Sequence, residues 1–412
     1  MSSFVISRIK HALAVTSATG VLAGGLIAAA AVPAGASTLS CGDVLTSSVT
    51  LHHDLDCSAF TSGPALVVNA PGVTVDLNGH HILGPGSAAS TPGILAGFSR
   101  DRVTDGSISD FVAAVAVTPP GSQYLHNVVL SDLKITESTP GLTFGIFAGA
   151  LDHSIIRHVA ATSTYVGIAL FASRHSTVSD NTLKSDFYGA ADESGVRNTF
   201  SDNKTSTHPN GAGILLATTK GDALKHNRLG GQGSAGLIDE TSTSLDVSRN
   251  TVSHLLYGII LEGTANSEVS HNQGTANGWG LALENNNGID AISNTFGSGG
   301  YGIEADYPAS LMLKHNRTSH NSQIGTYISD GGQPLPSYSA LVSFNTANFS
   351  SAGFYSQFPA TGHGNDADHN TVLGCFNVSC IHGMSKLHAS MRLPAHHAFP
   401  VPALPKRPAL KK

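Results

Sequence analysis

Two marks recur along this chain with one shared period, and that coincidence restricts its folding more than any other feature. A glycine, usually followed by an apolar residue, stands at Gly145, Gly167, Gly189, Gly213, Gly236, Gly258, Gly280, Gly302, Gly325 and Gly353, mostly 22 to 24 residues apart. An asparagine recurs at Asn181, Asn203, Asn227, Asn250, Asn272, Asn294, Asn316, Asn345 and Asn370, again mostly 22 to 24 apart. Between the marks, as in Gly258-Ile259-Ile260-Leu261-Glu262, the residues alternate with the period of a β-strand. A second short strand precedes the asparagine, as in Ser176-Thr177-Val178-Ser179.

A unit of about 22 residues with two or three short strands cannot enclose a core alone, so successive units must stack. Stacked at ~4.8 Å per coil, residues at equal offsets become columns. Asparagine suits a corner of such a coil. It tolerates left-handed backbone, and stacked amides can bond from coil to coil. The dense leucines of a leucine-rich repeat are missing, and no six-residue beat of a left-handed hexapeptide helix occurs. The expected fold is all-β: a single-stranded right-handed parallel β-helix of about 12–14 coils.

Composition agrees. Charged residues are 12% and glycines number 45 of 412, while 41% hydrophobic content excludes a disordered, highly charged chain. Residues 1–36 are expected to be a signal peptide: Arg8 and Lys10, an apolar stretch from Ala12 to Val32, then Ala34-Gly35-Ala36. The β-helix is expected over 37–384, followed by a basic, proline-rich, unpacked tail at 385–412. Of the 22 basic residues the leader holds two and the tail six, so the body between them carries a formal −14. So acidic a body excludes nucleic-acid binding by counterion release. No other stretch is long and apolar enough to span a membrane. The tail could touch an anionic envelope surface, and a monomer is expected. Export permits disulfides. Local pairing, Cys41–Cys57 and Cys375–Cys380, needs no contortion and is preferred over a zinc site built from the two distant pairs.

The opening, from Cys41-Gly42-Asp43-Val44 through Asp54-Leu55-Asp56-Cys57 to Val73-Thr74-Val75-Asp76-Leu77-Asn78-Gly79-His80, resembles the first coils of secreted parallel β-helix proteins of the pectate-lyase-like superfamily. The glycine and asparagine marks carry the likeness to about residue 381. The resemblance implies the fold strongly and an activity weakly, because the superfamily includes lyases, hydrolases, epimerases and proteins with no known reaction. Of the polygalacturonase-like strings only Gly362-His363-Gly364 occurs in the body. Asn-Thr-Asp and an Asp pair are missing, and Arg8-Ile9-Lys10 lies in the leader. The Asp-Pro-His-Glu string of alginate epimerases is missing as well.

Four residues after the repeat glycine stand Glu193, Ala217, Glu240, Glu262, Glu284 and Asp306. The last four should form a column on consecutive coils, with Glu304 on the same side. Closely spaced like charges raise one another's pKa unless a cation compensates. Calcium held by Glu284, Glu304 and Asp306 is one expectation, and an acid–base pair from Glu262 and Glu284 another. A plain solvated row is the reading preferred. One residue before the glycine stand Tyr188, Tyr257, Trp279 and Tyr301. Outward they would be a platform for sugar rings, but Phe144 and Val166 at the same offset favour an inward ladder filling the core. His226, His271, His315 and His369 precede marked asparagines, the first three on alternate coils, and are expected to be corner residues rather than metal ligands. Lys225, Arg249 and Lys314 lie near the same corner.

These features give two expectations. One is an exported protein that binds, and could cleave or epimerise, an extracellular polysaccharide through Glu240, Glu262, Glu284, Glu304, Asp306, Tyr257, Trp279 and Tyr301. The other is a non-catalytic surface or matrix protein.

Overall fold

Each unit contributes up to three short strands separated by corners, and each strand pairs with its counterpart one unit later. A computed structural model describes residues 39–86, 91–137, 143–330 and 338–382. The expected signal peptide (1–36) and the tail (385–412) lie outside the described residues. The inter-strand pairings described are parallel throughout, as in Leu237↔Ile259, Ile259↔Leu281 and Leu281↔Ile303. The fold is the expected right-handed parallel β-helix, and its first sheet runs fifteen rungs, about fourteen turns, from Asp43–Leu45 to Leu373–Phe376.

The first sheet contains the strands that follow the repeat glycine, such as Tyr257–Glu262, Trp279–Glu284 and Tyr301–Asp306. The second contains Asp246–Ser248, Ala265–Ser270 and Asn287–Ile292. The third contains Thr251–Ser253, Gln273–Thr275 and Thr295–Gly297. Their inward side chains form one continuous core, with columns such as Ile214, Leu237, Ile259, Leu281 and Ile303 from the first sheet and Leu224, Val247 and Val269 from the second. The disulfides Cys41–Cys57 and Cys375–Cys380 form as expected at the two ends of this stack. They mark an oxidising compartment, and hence an exported chain.

The repeat glycine is required by close approach. A Cβ on Gly280 would come within 2.6 Å of the Gly302 carbonyl oxygen on the next coil and of Phe296 from the third sheet. The same clash with the next glycine's oxygen holds at Gly145, Gly167, Gly189, Gly213, Gly236, Gly258 and Gly302.

The asparagines form a buried ladder between the second and third sheets. Each Nδ2 donates to the next Oδ1 at 2.9–3.1 Å, from Asn181 through Asn203, Asn227, Asn250, Asn272, Asn294, Asn316 and Asn345. Two details differ from the sequence reading. The left-handed backbone belongs to the residue before the asparagine, as at His226, Arg249, His271 and His315 (φ 56–57°), which turns the asparagine itself inward. The last rung is Asn365, not Asn370. Asn370 instead accepts from the Ser350 N–H at the corner between the third and first sheets.

Acids interrupt the core. The column Ala148, Leu170, Asp192, Leu216, Asp239, Leu261 and Leu283 faces inward, and Asp222 approaches Asp192 from the adjoining corner. Burial, then the Asp222 charge, holds the Asp192 carboxyl well above the usual carboxylate range. Burial pushes Asp222 up to about 6, against hydrogen bonds such as that from the Asn198 N–H (2.8 Å). A raised pKa means that the folded chain keeps a proton which the unfolded chain releases near pH 4. This contribution to stability is therefore complete below pH 4 and lost as pH rises to about 6. Asp222→Asn keeps the acceptor for Asn198 and removes the buried charge. We expect it to stabilise the protein at pH 7 by on the order of 2–3 kcal/mol, with the gain shrinking toward pH 4. Denaturant unfolding at the two pH values measures it, and an equal or opposite effect at both would contradict this account.

Candidate functional site

On the first sheet, Ile259 and Leu261 point into the core, while Tyr257, Ile260 and Glu262 point out. Because the repeat glycine occupies the crowded inner position, the residue before it faces outward. This corrects the inward reading of the aromatic column: Tyr257 and Ile260 belong to a second apolar cluster on the outer face. That cluster continues through Tyr188, Ala191, Leu215, Val166, Phe147 and Phe144 on earlier coils.

Three outward columns run side by side along this face. The first is Tyr257, Trp279 and Tyr301; the second Ile260, Ala282, Glu304 and Tyr327; the third Glu240, Glu262, Glu284, Asp306 and Ser329. The register brings together every residue expected to meet a polysaccharide. Tyr257 stacks on Trp279 (centroids 4.9 Å, 21°) and Trp279 on Tyr301 (5.7 Å, 6°). The aromatic line then steps diagonally through Tyr327 to Tyr355 and Phe376.

Glu304 is the acid that the sequence reading undervalued. It replaces an apolar residue in the middle column, and the Trp279 Nε1–H donates to its Oε2. Burial, then the Asp306 charge, pushes its carboxyl up to about 7 despite that bond. Burial and the neighbouring Glu262 charge also raise Glu240 and Glu284. Burial first, then the acids beside it, pushes the Tyr301 hydroxyl up to about 12. Lys225 and Lys314 stand on the second sheet, and Lys225 is paired with Asp246 at 2.7 Å, so neither is a base for this groove.

The expected calcium set does not gather around one point. Glu284, Glu304 and Asp306 share the face, but consecutive coils hold Glu284 and Asp306 a strand spacing apart, and Glu304 is engaged by Trp279. Among the described residues, the group whose ligand atoms lie within 4.8 Å of one another is Asp152, His153 and His175. Asp152 Oδ1 accepts from His175 Nδ1 (3.1 Å) and lies 2.7 Å from His153 Nδ1, while Oδ2 accepts from Arg174 (3.0 Å) and lies 3.1 Å from His126 Nδ1. His153 and His175 are 22 residues apart, on consecutive coils, and their rings stack at 4.9 Å. The 22-residue offset between them stands in the sequence, at a different corner from the histidines beside the asparagine ladder. Those histidines, His226, His271 and His315, are exposed left-handed corner residues as expected. Gly362-His363-Gly364 is irregular backbone with positive φ at both glycines. His363 packs edge-on against Phe344 and is remote from the outer face of the first sheet.

Fold and register define a member of the pectate-lyase-like class of right-handed parallel β-helices. Residues 102–245 and 196–372, together well over half of the chain, match the family described as "Periplasmic copper-binding protein (NosD)", and the chain belongs to that family. No curated protein matches it in sequence. Among solved structures it is similar to the mannuronan C-5 epimerase AlgE4 A-module of Azotobacter vinelandii, with 13% identity over 72% of this chain and 91% of that one, TM-score 0.51. It also resembles the periplasmic alginate epimerase AlgG, at 12% identity over 84% and 81% of the two chains, TM-score 0.45. A third likeness is to the DFA-IIIase of Arthrobacter chlorophenolicus A6, at 12% identity over 71% and 78%, TM-score 0.42. At these identities the likenesses concern the fold.

Proposed function

We propose that this is an exported protein that holds an extracellular polysaccharide along the outer face of its first sheet. One observation carries the reading: the stack Tyr257, Trp279, Tyr301 runs parallel to the acids Glu262, Glu284 and Asp306 on the same face. Flat aromatic faces suit the apolar sides of sugar rings. Carboxylates alongside accept hydroxyl hydrogen bonds, which are stronger to a charged acceptor. The ~4.8 Å coil spacing is close to the rise of an extended sugar chain, so successive units could meet equivalent side chains. A row of acids repels a polyanion, which favours a neutral or amino-sugar chain; an acidic one would need a cation between.

If a bond is broken, Glu304 is the candidate proton donor. With a pKa of about 7 and Asp306 beside it, it is suited to general acid chemistry near neutral pH. The test is retention and turnover on neutral, amino-sugar and acidic polysaccharides, with and without Ca²⁺. Retention of at least one class is expected. Any turnover should fall as pH rises above about 7 and vanish in Glu304→Gln. No retention of any class would remove the proposal.

The family description names copper, and a specific observation supports a copper-binding capacity here as well. Nitrogen and oxygen donors suited to that ion occur together at Asp152, His153 and His175, away from the groove.

A further inference from the structure

We propose that two copies of this chain associate antiparallel along one edge of the β-helix, the cation-bearing half of the edge on each copy lying against the acid-bearing half of the other. This goes beyond the polysaccharide reading and does not rest on it, and it departs from the monomer expected from the sequence. The edge is where the chain leaves the first sheet. Ser194, Thr218, Thr241 and Gly263 stack there in left-handed backbone (φ 55–63°), each N–H donating to the carbonyl of the last first-sheet residue on the next coil.

On one flank of this line stands the acid column Glu240, Glu262, Glu284 and Asp306, one carboxyl per coil. On the other flank, on the preceding coils, stand Arg174, Arg197 and Lys220, one cation per coil. Arg174, Val196 and Lys220 bridge in register, and Arg197 is the left-handed corner residue beside Val196. The Arg197 stem passes over Gly221, with Cγ 3.2 Å from where a Cβ would sit, so the missing side chain lets it lie along the edge.

The edge changes sign along its length with little mixing. In the acidic half the Lys220 column continues as Thr243, Ala265 and Asn287, all neutral. In the basic half the acid column continues as Phe171, Glu193 and Ala217, and Glu193 is only 7% exposed. Among the described residues no basic side chain forms an ion pair with Glu240, Glu262 or Glu284, and Arg197 and Lys220 have no acidic partner. Burial, then the Glu262 charge, raises Glu240 and Glu284, and a countercharge relieves that repulsion.

Both columns share the coil spacing of about 4.8 Å because one chain builds both. A two-fold axis at the step between Thr218 and Thr241 reverses the coil order and exchanges the two flanks, so the cations of each copy fall on the acids of the other. Lys220 then faces the partner's Glu240, Arg197 the partner's Glu262 and Arg174 the partner's Glu284, and each pair occurs twice. Two convex edges meet in a narrow contact held by charge rather than apolar area, which makes it weak and salt-sensitive. It also covers part of the acid row offered to a polysaccharide, so a bound sugar chain and a second copy compete.

The test is sedimentation of the full chain at about 100 μM with charge reversal, in the range where contacts of this class form. Dimers are expected at about 0.1 M salt and monomers at about 1 M, as the screening length falls from about 10 Å to about 3 Å. Arg197→Glu/Lys220→Glu and Glu240→Lys/Glu262→Lys should each raise the dissociation constant about 100-fold or more, because like charges then face one another. An equimolar mixture of the two variants should associate as wild type does, since the reversed groups meet in the proposed register. The salt series on the unaltered chain decides whether or not a variant folds. Should the basic tail (385–412) occupy the acid row instead, Arg197→Glu/Lys220→Glu would leave the association unchanged. That outcome, a wild type monomeric at about 0.1 M salt, or a mixture of folded variants that stays monomeric would each overturn the proposal.

Discussion

Asn272→Ala should cost the fold about 4–6 kcal/mol, a large share of the 5–15 kcal/mol by which folded domains are stable. The side chain is completely buried and fully engaged. Its Oδ1 accepts from the Asn250 N–H (2.9 Å) and Nδ2 (3.0 Å), while its own Nδ2 donates to the Val247 carbonyl (2.8 Å) and to Asn294 Oδ1 (3.0 Å). Alanine takes the Asn272 acceptor from the Asn250 N–H and the Asn272 donor from the Val247 carbonyl inside the helix, where water does not reach. It also halves the bonding of Asn250 Nδ2, which keeps Leu224 O, and of Asn294 Oδ1, which keeps the residue-272 N–H; each buried group left unpaired costs about 1–3 kcal/mol and each further bond lost about 1 kcal/mol. Asn272→Asp rescues little, because its second oxygen would face the acceptor on Asn294. Asn348, whose carboxamide oxygen accepts from the Asp368 N–H near the surface (2.8 Å), is the control, and its alanine variant should cost below about 1 kcal/mol. A stacked coil protein can also melt locally. Hydrogen exchange of the coils on either side of Asn272 should therefore accelerate more than that of the coils near Cys41. An Asn272→Ala protein within 1 kcal/mol of wild type would mean that the ladder is not a principal source of cohesion.

The architecture was legible because both marks arise from contacts between identical positions. Gly280 must lack a side chain since Gly302 of the next coil lies directly above it, and Asn272 must be an amide since Asn250 and Asn294 are its neighbours. Such self-stacking writes the period into the sequence. The facing of the aromatics was not legible in the same way. A strict period of two from Ile259 places Tyr257 inside, and only the local geometry at Gly258 turns it out. The role of Glu304 was hidden for a related reason. As one acid in a column of Ile260, Ala282 and Tyr327, it reads as an interruption until its contact with Trp279 is seen. The Asp152 corner required comparison of neighbouring coils at an offset where no residue type repeats more than twice. Its partners come from the coils on either side, His126 from the preceding one and Arg174 and His175 from the following one, and nothing local to Asp152 announces them.

The same contact between Trp279 and Glu304 provides the most discriminating test of the groove. Trp279 is the only tryptophan, so its fluorescence reports on this site alone. A retained polysaccharide should change its emission. Trp279→Ala removes the middle of a three-ring stack and should weaken retention by about 30-fold or more, the loss typical of a central aromatic anchor. Trp279→Phe separates the two roles of the ring. It keeps the stack on Tyr257 and Tyr301 but removes the N–H bonded to Glu304. That bond lowers the Glu304 pKa, so without it the carboxyl should titrate above its present value of about 7. The midpoint of any pH-dependent binding or turnover should move to higher pH while affinity at pH 5 stays close to wild type. Glu304→Gln should abolish the pH dependence with the stack intact. Were Trp279→Ala to bind every polysaccharide as wild type does, the aromatic line would be packing on an outer surface, and the exported coil would serve as a structural body.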